Sequence, residues 1–109
     1  MHREFPRVEI DVADLSSEEY FALMTLLQIK PETAPLDRQE YRAATLGMPR
    51  AEQDLRFRIG FEGLLKRKAV YRDTKDGEPI SVRGAPQYIA NPRAKFVTRL
   101  KHVDPKNFT

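Results

Sequence analysis

The chain has 109 residues, carries 19 Lys+Arg against 16 Asp+Glu for a formal net charge of +3, and contains no cysteine. That length accommodates one domain with one modest core, so residues 1–109 are expected to form a single domain. The absence of cysteine excludes disulfides, thiolate metal sites and a cysteine nucleophile.

Leu, Ile, Val and Phe make up about a quarter of the chain, above the level of a disordered polypeptide. His2 and His102 stand at opposite ends and do not form a zinc-binding spacing. No apolar run approaches the roughly 20 residues that span a bilayer, and the start does not read as a signal peptide. A cytoplasmic protein with no membrane, metal or cofactor partner is expected. The charge is uneven along the chain: −4 over 1–49, +4 over 50–72, −2 over 73–82 and +5 over 83–109. An acidic first half followed by basic blocks is the electrostatic pattern of a polyanion-binding surface.

Arg7 to Val12 alternates polar and apolar residues after Pro6, which predicts a short strand. Ser16 and Glu19 then form a capping box, S-x-x-E, with Leu15 and Tyr20 at the staple positions. Tyr20, Leu23, Met24 and Leu27 recur at helical spacing, and Pro31 ends this first helix before a loop to Pro35. Asp37 and Glu40 repeat the capping signal, with Leu36 and Tyr41 as the staple, so a short second helix starts at Asp37. Gly47 suits a helix C-terminus, and Pro49 suits the first turn of a third helix over about Arg50 to Glu62. Ala51, Leu55 and Ile59 fall on one side of that helix, whereas Phe57 and Phe61 fall on another, which leaves its phase open by one position.

Beyond Gly63 come Leu64, Leu65 and the basic triplet Lys66-Arg67-Lys68. Two alternating runs follow, Ala69 to Arg72 and Ile80 to Arg83, separated by a T-K-D-G hairpin signal at Thr74 to Gly77. Gln87 to Ala90 is a third extended piece. Asn91-Pro92 stops it, and Arg93 to Lys101 reads as a short basic helix.

A short helix, a glycine turn, a second helix and a hairpin describe a helix-turn-helix with a wing. The stretch Ala43 to Lys68, ending in Phe61-Glu62-Gly63-Leu64-Leu65, resembles winged helix-turn-helix DNA-binding proteins. Tyr88-Ile89-Ala90-Asn91-Pro92 followed by Phe96 resembles the "Y-x-x-N-P" ending of plasmid and phage replication initiators within that superfamily. The resemblance implies an α+β winged helix-turn-helix with a short N-terminal strand, three helices, a β-hairpin wing and a basic C-terminal tail. The helix-turn-helix would cover about 37–62 and the wing about 66–90. It implies sequence-specific binding of double-stranded DNA, in transcription regulation or in plasmid or phage DNA replication. One departure stands out. The family usually places a β-branched residue near Gln53, and here Glu52, Gln53 and Asp54 are all polar.

Carried onto this chain, the recognition helix 50–62 offers Arg50, Gln53, Asp54, Arg56 and Arg58 to the major groove. Arginine can bridge guanine O6 and N7, glutamine can bridge adenine N6 and N7, and Asp54 would accept from cytosine or orient an arginine. The wing offers Lys66, Arg67, Lys68, Arg72, Lys75 and Arg83 for backbone contacts, with Asp73, Asp76 and Glu78 arguing against deep minor-groove insertion by its tip. Family habit implies a homodimer through the first strand, the first helix and the tail after Pro92, on half-sites about one helical turn apart.

No enzyme activity is expected, because three serines and two distant histidines supply no nucleophile–base pair. The tyrosines read as packing residues (Tyr20, Tyr41) or wing-strand residues (Tyr71, Tyr88). Gly60-Phe61-Glu62-Gly63 matches the G-x-x-G of KH loops but has no basic residue between its glycines. The alternative function is a winged helix that docks on protein, as a module or inhibitor of a larger machine, through exposed Phe57 or Phe61.

Overall fold

Both capping boxes close as reciprocal pairs in the computed structural model, which describes residues 5–31 and 34–98. At the start of α1 (Ser17–Ile29), Glu19 N–H donates to Ser16 Oγ at 3.1 Å and Ser16 N–H donates to Glu19 Oε1 at 3.0 Å. At the start of α2 (Arg38–Ala44), Glu40 N–H donates to Asp37 Oδ1 at 2.8 Å and Asp37 N–H to Glu40 Oε1 at 3.2 Å. Each box satisfies two backbone donors that a helix start leaves open. Gly47 adopts φ +102° just after α2, a conformation that favours glycine. Pro49 is the extended residue that caps α3 (Arg50–Lys66), one place earlier than the expected first turn.

The architecture is α+β, with three helices followed by small antiparallel hairpins. Strand β1 (Val8–Asp11) leads through a 3₁₀ turn at Val12–Asp14 into α1. The inward face of α1 is Glu19, Ala22, Leu23 and Leu26, whereas Tyr20 and Leu27 are exposed, so the expected apolar face is rotated by about one position. Helix α3 shows the corresponding outcome. Gln53, Phe57, Gly60, Phe61 and Leu64 point inward, and Leu55 and Ile59 are 45% and 42% exposed.

The cause lies where the two helices touch. A Cβ on Gly60 would stand 2.6 Å from the Glu18 carbonyl oxygen and 2.9 Å from Ala22 Cβ, so the helices meet through their smallest residues. A Cβ on Gly63 would likewise strike the Glu19 side chain at 2.7 Å. The G-x-x-G pair is therefore a helix-packing device inside α3. It also explains why α3 continues past Glu62 to Lys66, because neither glycine takes a left-handed conformation.

The left-handed residue that follows the α3 C-cap, Arg67, is instead Lys68, with φ +62°. Lys68 N–H donates to Leu65 O at 3.0 Å and Ala69 N–H donates to Leu64 O at 3.0 Å, the paired bonds of a Schellman cap. The core behind α3 is aromatic. Tyr41 and Phe57 lie 5.4 Å apart between ring centroids, Phe57 and Phe61 5.0 Å, and Phe61 stacks on Tyr88 at 4.6 Å with 4° between planes. Burial pushes the Tyr41 and Tyr88 phenols up from their ordinary pKa, as expected of packing residues.

The β region after α3, expected as a single hairpin wing, is branched. Its stem pairs β2 (Val70–Arg72) with β7 (Tyr88–Ala90), in the register Val70↔Ala90, Tyr71↔Ile89 and Arg72↔Tyr88. One hairpin, β3 (Thr74–Lys75) with β4 (Glu78–Pro79), turns at Asp76-Gly77 as expected. A second, β5 (Ser81–Val82) with β6 (Ala85–Pro86), turns at Arg83-Gly84 with φ of 52° and 78°. The run Ile80 to Arg83 is thus not the return strand to Ala69–Arg72. The second tight turn diverts it, and the piece 87–90 closes the stem. Leu36 also bridges Tyr88 in antiparallel fashion, which fastens the segment before α2 to the stem.

The segment after Pro92 is β8 (Ala94–Val97) rather than the start of a helix, and it pairs in parallel with β1, Ile10 opposite Phe96. The expected helix extended to Lys101, and residues 99–101 of it lie outside the described residues. Asn91 is 3% exposed and sets this strand in place. Its Nδ2 donates to Pro6 O at 3.0 Å and to Lys68 O at 2.8 Å, and its Oδ1 accepts from Arg93 N–H at 2.9 Å. The N-P pair of the Y-x-x-N-P stretch therefore joins the N-terminal strand, the end of α3 and β8. Among the described residues, no helix is long and apolar enough to cross a membrane.

Candidate nucleic-acid interface

The second and third helices meet across the turn at Thr45–Pro49, and Gln53 is the residue that locks them. It is 6% exposed, and its Nε2 donates to Thr45 O at 2.7 Å, Thr45 Oγ1 at 2.9 Å and Arg42 O at 3.0 Å. Gln53 thus faces inward, at the position where the resemblance leads one to expect a β-branched residue. It substitutes hydrogen bonds to the end of α2 for apolar packing. Its expected role as an adenine reader is corrected on that ground, because the amide is buried and engaged.

Asp54 is also committed within the fold. Arg42 Nε and Nη2 both reach its carboxylate at 2.7 Å, a bidentate pair. The Arg42 hydrogen bonds hold the Asp54 carboxyl below its ordinary pKa against a smaller opposing effect of burial, and Arg38 and Arg50 add to this electrostatically. Of the two roles expected of Asp54, orienting an arginine is the one the geometry contains.

Arg56 turns toward α1. It pairs with Glu52 at 3.1 Å one helical turn back, and its guanidinium stands 5.9 Å from the centroid of the Phe21 ring. Arg67 points away from the wing, to Glu19 Oε2 at 2.6 Å and Asp14 O at 2.9 Å. Arg72 reaches Ile80 O and Ser81 Oγ, each at 3.3 Å, at the base of the second hairpin. Each of these three expected DNA contacts thus has a partner within the fold, Arg56 on α3 and against α1, Arg67 to the start of α1, and Arg72 at the second hairpin.

The remaining expected residues face outward. Arg50 and Arg58 lie on the open side of α3, Lys66 at its end, and Lys68 in the cap. Lys75 flanks the first wing turn and Arg83 forms the second. Among the described residues, none of these six takes part in an ion pair. A groove of about 500 Å³ runs between α3 and the second hairpin, with Ala51, Leu55, Arg58 and Glu62 on the helix side and Ala85 and Pro86 on the wing side.

Three contributors to this site were not singled out from the sequence. Arg38, in the first turn of α2, lines the groove, and its Nε is buried without a hydrogen-bond partner among the described residues. Ala51 and Leu55 form the apolar part of the open face, having been expected on the same side as Ile59 with no function attached. A basic residue directly after an Asp cap was the available signal for Arg38. Nothing local marks Leu55, because its exposure follows from the helix phase. Phe57 and Phe61, expected as exposed docking residues in the protein-binding alternative, are 3% and 0% exposed in the core. Comparison of the chain with protein-family models, with curated proteins and with solved structures finds no match.

Proposed function

We propose that this chain is a winged helix-turn-helix domain that binds double-stranded DNA in a sequence-specific manner, as a transcription regulator or a plasmid or phage replication factor. The domain acts by binding, without catalysis or a cofactor. Helix α3 enters the major groove by its open side, and the second hairpin lies along the adjacent backbone.

The observation that carries this reading is a sorting of charge. Asp54, Glu52 and Glu19 are each bound by an arginine within the fold, through Arg42, Arg56 and Arg67. Arg58 and Arg38 line the groove, with Glu62 as the one carboxylate in its lining outside an ion pair among the described residues, and Arg50, Lys66, Lys68 and Arg83 stand exposed on α3, its cap and the second hairpin turn. A surface of that kind attracts a polyanion, and helix plus wing match the width and the flank of a DNA groove. The wing contact falls to Arg83 and the Lys66–Lys68 end, because the first hairpin turn carries Asp76 between Lys75 and Glu78.

The test is a titration of duplex binding against salt. About three to six phosphate contacts give a log–log slope of roughly −3 to −5. Binding to random duplex that is undetectable at about 50 mM salt would overturn the proposal. The exposed stripe of Ala51, Leu55 and Ile59 supports a second reading, a protein partner docked on α3. A salt-independent affinity for protein with none for DNA would favour it.

A further inference from the structure

The face that α3 turns outward has an unusual make-up for a helix that reads polar base edges. Ala51, Leu55 and Ile59 follow one another at four-residue spacing, with Arg50 and Arg58 beside them. Near the helix start the groups with amide or carboxylate chemistry are engaged within the fold, Gln53 and Asp54 with α2 and Glu52 with Arg56 one turn on. Within the first turn and a half, the one amide, Gln53, is buried, and the carboxylates Glu52 and Asp54 are each held by an arginine, Arg56 and Arg42. What the open face does hold is aliphatic surface and guanidinium.

The major groove offers one apolar feature, the C5-methyl group of thymine, and one bidentate acceptor pair suited to arginine, guanine O6 and N7. We infer that Leu55, supported by Ala51, is a thymine-reading residue, and that Arg58 or Arg50 reads a neighbouring guanine, so that the preferred site is built on adjacent thymine and guanine. This rests on the DNA-binding reading above. Three features support it. Leu55 is 45% exposed, so it has surface left to bury. It lies on the wall of the groove between α3 and the wing, in the half of the helix nearest the bases. The cations on either side would hold the phosphates that flank such a contact, which argues for nucleic acid as the occupant over an apolar protein segment.

The experiment uses a duplex selected by the full chain from a random pool. Each thymine is then replaced singly by deoxyuridine, which deletes the methyl group and leaves the hydrogen-bonding edge intact. At one or two thymines in each half-site the replacement weakens binding about threefold to fivefold, the effect of one desolvated methyl group. In Leu55→Ala, thymine and deoxyuridine duplexes bind alike, and the melting temperature stays near that of the native chain because Leu55 is outside the core. If every replacement leaves affinity unchanged while the duplex still binds with a steep salt slope, the thymine inference is wrong and the DNA-binding reading stands. If no duplex is selected or bound at low salt, both fall.

Discussion

Replacing Gln53 separates a packing role from a reading role, and the structure sets the size of the effect. In Gln53→Ala the Nε2 donor to Thr45 O, Thr45 Oγ1 and Arg42 O is lost, and a buried volume is emptied between α2 and α3. The acceptors keep partial partners, since Met48 N–H reaches Thr45 O at 3.2 Å and Thr45 N–H reaches Arg42 O at 3.2 Å. Loss of the bonds is therefore worth about 1–2 kcal/mol and the truncation about 1 kcal/mol more, for a total of roughly 2–3 kcal/mol. For a domain of this size that lowers the melting temperature by about 10–20 °C. Gln53→Met keeps the volume and loses only the donor, so it should fall by about half as much. Thermal unfolding followed by circular dichroism measures both. Sequence preference, measured below the melting point on a selected duplex, should be retained in each variant. A Gln53→Ala protein that melts within about 2 °C of the native chain and yet loses its preferred sequence would place the amide on DNA and refute the packing assignment.

Acid should weaken the fold through Glu19. Burial alone would raise its pKa, but the Arg67 guanidinium and the two Ser16 hydrogen bonds outweigh that and hold the carboxyl below its ordinary value. With the folded pKa below the unfolded one, its stabilisation is complete above the ordinary carboxylate pKa of about 4.3 and is lost as pH falls through the lower folded value. Glu19→Gln should cost about 1–2 kcal/mol at neutral pH, moderated by the 37% exposure of the Arg67 side chain, and should flatten the acid limb of stability against pH. An unchanged acid limb would remove Glu19 from that account. Gly60→Ala should destabilise by about 1–2 kcal/mol, because the added methyl group meets backbone at Glu18 and the overpacking exceeds the gain of about 1 kcal/mol in helix propensity. A raised melting temperature in that variant would show that the α1–α3 contact is looser than the structure has it.

What could be read in advance was chemistry confined to a few neighbouring residues. Ser16 with Glu19, Asp37 with Glu40, and Asp76 with Gly77 each specify a local conformation through groups three residues apart or fewer, and each forms. The helix phases could not be read this way. Ranking residues by size puts Tyr20, Leu27, Leu55 and Ile59 inside, whereas the structure places Ala22 and Gly60 at the contact and rotates both helices accordingly. Small residues are silent in an apolar pattern and decisive in a helix crossing. The wing failed for a related reason. Arg83 in a left-handed turn has no strong local signature, so the alternating runs imply one hairpin where the structure has two. Strand β8 depends on a partner 86 positions away, Val8 for Ala94, and a basic segment gives no hint of it.

The same phase shift determines which charged residues can meet a partner. With Gln53 inward, Asp54 faces Arg42, Arg56 faces Glu52 and Phe21, and Arg67 faces Glu19. Each of these residues is attractive on paper as a DNA contact, and each has a task within the fold. Arginine is suited to that task, since its fork binds a carboxylate in two places and its stem covers apolar surface. Pairing leaves the net charge of +3 unchanged, but it takes Asp54, Glu52 and Glu19 and their three arginines out of the set of charges open to a partner. A surface with about five outward cations supports only moderate nonspecific affinity. On the proposed DNA-binding reading, discrimination between sequences would come from the apolar and guanidinium groups on the open face, and Leu55, the residue that the expected phase would have buried, is the one whose substitution tests it.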